Sequence, residues 1–221
     1  MKTEDLLVAL ARDAKPLQRL RHPWHRGAMW AAATCVYLAG IALFLAPAER
    51  IGDAFVDVRF AIEQVVAIVV GVTAAAAALA TTVPGYGSRV LIAPIAAGIL
   101  WIGIVAIGGL PDLLRYEASE ILFRTDWPCV MAIVVTGALP AVGLFRMVRR
   151  GAPVTPRVTM ALVALSAAIL ANVIACLVRA HDSSVTVLLW HGTLALAITT
   201  AAAFLGTSML KWRVSPPARA H

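Results

Sequence analysis

Charge is scarce in this chain. Asp, Glu, Lys and Arg make up 14% of it and hydrophobic residues 61%, where a soluble domain runs nearer a quarter and a half. A larger water-soluble core does not account for the excess, because the apolar residues come in continuous runs. Cysteine is scarcer still: the chain has three, Cys35, Cys129 and Cys176, and no CxxC. The missing CxxC argues against an exchange-competent thiol-disulfide enzyme, and no HxxxH spacing offers a ready helical metal motif. Ionisable groups are also missing from the middle of the apolar runs. The third, fourth and fifth runs hold only Asn172 and scattered Ser and Thr. A transporter wants a polar or charged cluster at that depth, and no internal repeat speaks for an inverted-repeat carrier either.

The apolar runs are what is present. They predict helices at 28–46, 60–83, 90–110, 128–147, 158–178 and 185–210. Each approaches the ~20 residues that cross a bilayer. Pro47, Pro84, Pro111, Pro128, Pro156 and Pro216 punctuate them, as proline does near helix ends. Pro94 and Pro140 fall inside the third and fourth runs and are expected to kink them. Small residues crowd Gly71 to Ala80 and Gly98 to Gly109, and small residues let membrane helices approach closely. The fold expected is an all-α, polytopic six-helix bundle. The chain then divides into a tail at 1–27, a transmembrane domain at 28–210 and a second tail at 211–221. Ala46-Pro47-Ala48 resembles a signal-peptidase site, but the apolar run and the basic leader before it are both long for a signal, so an uncut N-terminus is expected.

A pI near 10.0 suggests nucleic acid at first sight. The basic residues are instead sorted by loop. Fourteen lie on one side: Lys2, Arg12, Lys15, Arg19, Arg21, Arg26, Arg89, Arg146, Arg149, Arg150, Arg157, Lys211, Arg213 and Arg219. Five lie on the other: Arg50, Arg59, Arg115, Arg124 and Arg179. With short loops the positive-inside rule places both termini in the cytoplasm.

Candidate chemistry gathers on the opposite, outer side. Cys129 follows Asp126-Trp127-Pro128 at the start of the fourth run. Asp126 suits an N-cap and Pro128 a first turn. Cys176 lies at the outer end of the fifth run. A thiol at a helix N-terminus is favoured as thiolate and one near a C-terminus is not, so Cys129 is expected to be the more reactive. A disulfide between neighbouring spans is one outcome; two small packed hydrophobes is the other. Cys35, inside the first run, reads as packing. His181 and Asp182 occupy the loop after the fifth run, and His191 follows Trp190 in the sixth. With Cys129 and Cys176 they make a candidate soft-metal set. The plainer reading is a solvated His181 and a bundle-packed His191. Glu63 and Gln64 open the second run, where they can reach water.

In the N-terminal tail, Thr3 can cap a helix whose first turn holds Glu4 and Asp5. Leu6, Leu7, Leu10, Ala11 and Ala14 then share one apolar face. Such a segment either lies on anionic lipid or docks into a groove of a soluble partner.

Several short motifs fall together in order: Met1-Lys2-Thr3-Glu4-Asp5-Leu6-Leu7, Leu10-Ala11, Pro16-Leu17, Trp127-Pro128-Cys129, Cys176 followed by His181-Asp182, and Trp190-His191. With six spans, they resemble the NrsF-type family of proteobacterial membrane anti-sigma factors over the whole chain. The resemblance implies a protein that holds an extracytoplasmic-function sigma factor at the inner membrane, away from RNA polymerase. It implies sensing of metal or oxidative stress at Cys129 and Cys176 and sigma binding around Leu6, Leu7 and Leu10; His181 and His191, from the candidate metal set, and Ala11, from the apolar face, are expected to join them. Leu177 stands where the family would have proline, and Cys35 is extra. The expectation is a regulator that is no enzyme and needs no cofactor. Its partners would be a sigma factor and membrane lipid, with no direct contact to nucleic acid. The rival classes are a membrane thiol-disulfide oxidoreductase and a small transporter.

Overall fold

The apolar runs become six helices. The computed structural model describes residues 22–45, 52, 56–83, 85, 87–115, 127–151, 153–178 and 187–210. The helices are α1 (Pro23–Leu45), α2 (Val58–Ala80), α3 (Ile92–Arg115), α4 (Trp127–Arg149), α5 (Pro156–Val178) and α6 (Gly192–Met209). A 3-10 turn at Ser88–Leu91 leads into α3, and a π-helical turn at Val187–His191 leads into α6. Among the described residues there is no strand. Six helices are long and apolar enough to cross a membrane.

Prolines sort by position. Pro23 and Pro156 open α1 and α5, where a missing N–H costs nothing. Pro94, expected to kink the third helix, falls in the first turn of α3 and interrupts no ladder. Pro111, expected to end that helix, lies inside it, and the helix runs on to Arg115. Pro140 is inside α4 as expected.

α5 is the hub. Its most apolar window is 78% buried, against 11% for α6. α6, α2, α4 and α1 all pack on it, while α3 packs on α2. Composition explains the placement: Ala and Ser on α5, and Gly on its neighbours, let several helices come close at once. A Cβ on Gly71 of α2 would lie 2.6 Å from Leu170 Cγ of α5, so any side chain there would have to displace that leucine. Gly137 of α4 sits against Ala167 and Ala171 of α5. Gly206 of α6 sits against the backbone of Pro156 and Arg157.

In lipid, apolar surface gives helices no reason to associate, so close packing and interhelical hydrogen bonds decide. Two such bonds tie α2 to α5. The Ser166 hydroxyl donates to the Gly71 carbonyl at 2.6 Å, and the Thr81 and Thr159 hydroxyls meet at 2.8 Å. Other hydroxyls, such as Thr73 and Thr136, donate back to carbonyls four residues earlier in their own helices. The ends that meet across the bundle give the helix directions. α1, α3 and α5 start, and α2, α4 and α6 finish, at one end of the bundle, the terminal end. The other is the cysteine end.

Candidate functional site

Three helices deliver the chemistry to the cysteine end. Cys129 is the third residue of α4, within the first turn and only 2% exposed. Cys176 is two residues from the end of α5 and 3% exposed. It shares an apolar cluster with Ala67 and Val70 of α2, Trp101 and Val105 of α3, and Ala195 of α6. Two polar groups reach its sulfur inside that cluster. Asn172, one turn earlier on the same face of α5, brings Oδ1 to 3.8 Å of Sγ. His191, the last residue of the π turn, brings Nδ1 to 3.9 Å. Both polar residues are buried. None of the three cysteines is in a disulfide, and Cys35 is exposed on α1, so it does not fill the core as expected.

Of the predicted sensing residues, the structure brings Cys176 and His191 together and buries Cys129 at the same end of the bundle. His181 and Asp182 fall outside the described residues, as does Asp126, the expected cap of α4. So do Leu6, Leu7, Leu10 and Ala11. Among the described residues, no three His, Cys, Asp or Glu side chains converge as metal ligands would.

Sequence reasoning missed three features. Asn172 was seen only as a stray polar residue. Its spacing of four before Cys176 was the signal, because i and i+4 share a helix face. Glu63, expected to reach water, is buried and accepts from Arg59 Nε at 3.1 Å. Asp57 caps that helix by accepting from the Arg59 and Phe60 amides. Gly108 of α3 leaves room for the Arg59 guanidinium.

The third feature is at the terminal end. Arg26 is buried and its Nη2 donates to the Met147 carbonyl in the last turn of α4. A cation there meets the negative end of the helix dipole. One turn on, Trp30 Nε1 donates to the Pro140 carbonyl at 3.1 Å, with Gly143 alongside the indole. The first helix after the tail is thus fastened to α4, the helix that carries Cys129 at its other end.

Comparison with known families decides the class. The model of the family described as NrsF, negative regulator of sigma F, matches residues 10–212. The chain belongs to the NrsF family. The match takes in all six helices, both buried cysteines and, of the apolar residues expected to share a face in the tail, Leu10, Ala11 and Ala14. The family's description makes its members negative regulators of a sigma factor, so a sigma factor is the partner it implies and regulation the role. No curated protein and no solved structure matches the chain.

Proposed function

We propose that this NrsF-family chain is a multi-pass inner-membrane anti-sigma factor, with both termini in the cytoplasm. It holds a sigma factor of the extracytoplasmic-function type through its N-terminal tail and releases it when the outer thiols Cys129 and Cys176 are oxidised. The observation that carries the reading is the family match over 10–212 on a chain with six membrane-length helices. The fourteen-to-five split of basic residues supports the orientation. Leu6, Leu7, Leu10 and Ala11 are the proposed sigma-binding face.

The sensing step needs two electrons removed from two thiols. With a hydroperoxide as oxidant, two S–H bonds and the O–O bond break, one S–S bond forms, and an alcohol and water leave. The bond would join α4 to α5 at the cysteine end. Its effect reaches the tail because α4 also holds the root of α1 through the Met147 and Pro140 carbonyls. A thiophilic metal ion acting on the same sulfurs would give the same output, with His181 a further donor.

The test has two arms. Affinity purification of the detergent-solubilised protein should bring down a sigma factor, and its absence would overturn the anti-sigma reading. A sigma-dependent reporter is then followed in Cys129→Ser, Cys176→Ser and double-mutant cells, with a hydroperoxide or a thiophilic metal. Both single mutants should lose induction, and the double should be no worse than either. Repression at rest should persist. If all three respond like the parent, the thiols are packing residues. Induction by metal alone would replace the oxidation step by metal capture.

A further inference from the structure

We propose that His191 is the base of the outer thiol pair: it takes the proton of Cys176 and makes that cysteine, rather than Cys129, the first to react. The inference rests on the thiol-sensing reading above and adds the order of events to it.

The contact comes first. Cys176 Sγ lies 3.9 Å from His191 Nδ1, and both residues are buried, so bulk water does not compete for the proton. Asn172 Oδ1 lies 3.8 Å from the same sulfur. A side-chain amide has a donor end and an acceptor end, so it can serve the sulfur in either protonation state. On transfer the S–H bond breaks, the proton moves to Nδ1 and the electron pair stays on sulfur. The resulting ion pair is neutral overall, so the apolar cluster gains no net charge.

The backbone gives the second observation. π-helical turns are rare and gather at functional sites. This one ends on His191 and hands over to Gly192, the first residue of α6. The irregular turn thus ends on the residue whose imidazole reaches Cys176.

Among the described residues, the other titratable groups on the packed helices at this end are Asp57, the N-cap of α2, Glu63, which is paired with Arg59 on α2, and Cys129 on α4. α3 carries none from Ile92 to Pro111. Cys129 has the partial charge of a helix N-terminus in its favour, whereas an imidazole removes the whole proton. That difference reverses the order expected from helix position alone.

The test uses purified full-length protein in nanodiscs, with Cys176 as the sole cysteine (Cys35→Ser, Cys129→Ser). Its alkylation by N-ethylmaleimide is timed by mass from about pH 6 to 8. A free thiol in this range reacts about tenfold faster per pH unit, since its ionisation lies near ~8.5. With His191 present the rate should change by less than about threefold across the range. His191→Asn keeps an amide near the Nδ1 position but takes up no proton. It should react about tenfold more slowly at pH 7 and regain the steep slope. Looser packing multiplies the rate equally at every pH, so the slope reads the proton and not the fold. Asn172→Ala is the control for access, changing the level while leaving the slope shallow. A steep slope in both proteins, or a shallow slope in both, overturns the proposal. So does a sole-Cys129 protein that alkylates faster at pH 7. No sigma factor is present in this assay, so its failure leaves the anti-sigma reading to the purification and reporter tests.

Discussion

Gly206→Ala should pull α6 away from α5, and Gly98→Ala should do nothing of the kind. A Cβ on Gly206 would lie 2.5 Å from the Pro156 carbonyl oxygen and 3.0 Å from Arg157 Cα. Both are backbone atoms in the first turn of the hub helix, so neither can swing aside as a side chain would. Forcing a methyl into such a contact costs about 1–3 kcal/mol. Alanine's better helix propensity, worth about 1 kcal/mol in water, offsets little of this, because a membrane helix stays helical when its bundle opens. Gly98 and Gly103 of α3 have nothing within 4 Å of a built Cβ, so alanine there should stay within about 0.5 kcal/mol of the parent. Gly71→Ala should fall between, since the atom it meets belongs to the Leu170 side chain. Equilibrium unfolding in mixed detergent and SDS micelles, followed by tryptophan fluorescence, orders the four variants. A Gly206→Ala midpoint equal to that of Gly98→Ala would refute the close approach of α6 to α5.

Reporter fusions at Trp212 and Ser119 should report opposite compartments, with Trp212 cytoplasmic, and identical compartments would sink the six-span topology. Leu6→Asp with Leu10→Asp should release the sigma factor while leaving insertion intact. Each buried leucine is worth roughly 1.5–3 kcal/mol, so loss of the pair is orders of magnitude in affinity, and retained binding would leave only a lipid-surface role for the tail. Trp30→Phe removes the 3.1 Å bond to Pro140 while keeping the ring, and should weaken the α1–α4 contact by about 0.5–1.5 kcal/mol. In the reporter assay that variant should show blunted induction, whereas induction equal to the parent would mean that α4 does not carry the signal.

Element type was easy to read in the sequence and element ends were not. Six uninterrupted apolar runs have one good solution in lipid, since only a helix satisfies its own backbone there. The ends depended on proline chemistry that two sites reverse. Pro94 sits where a helix has no N–H to lose, and Pro111 is carried within α3 because the helix continues on its far side. The π turn before α6 has no compositional mark, because Val187-Leu188-Leu189-Trp190-His191 reads as ordinary apolar helix. The site was half legible for the same reason. Cysteines at like depth on consecutive helices can be found by counting. Which helix face each one presents to another helix cannot be counted when every face is apolar, so the partnership of Cys176 with His191 appears only once α6 is packed on α5, whereas Asn172, four residues before Cys176, could be counted. Arg26 was counted as one more topogenic charge, and its bond to Met147 depends on where α4 stops.

The magnitude of the proposed switch follows from this packing. Taking a two-state bundle from about 1:99 to 99:1 needs about 5.5 kcal/mol of bias, and reaching an even mixture needs about half of that. A disulfide contributes about 2–4 kcal/mol when its geometry is relaxed. Forming it at Cys176 also withdraws the sulfur from Asn172 and His191, and each such bond is worth about 0.5–1.5 kcal/mol. Those losses loosen the resting arrangement and so add to the bias. The total, about 3–7 kcal/mol, just passes the even mixture at its lower limit and exceeds the full switch at its upper limit. Oxidation should therefore release at least half of the sigma factor from the molecules that carry the bond. Helix α5 is the right place for such a device. Its neighbours meet it through apolar clusters, glycine contacts and hydrogen bonds, none of them covalent, so one new covalent bond is a strong constraint beside any single one of them.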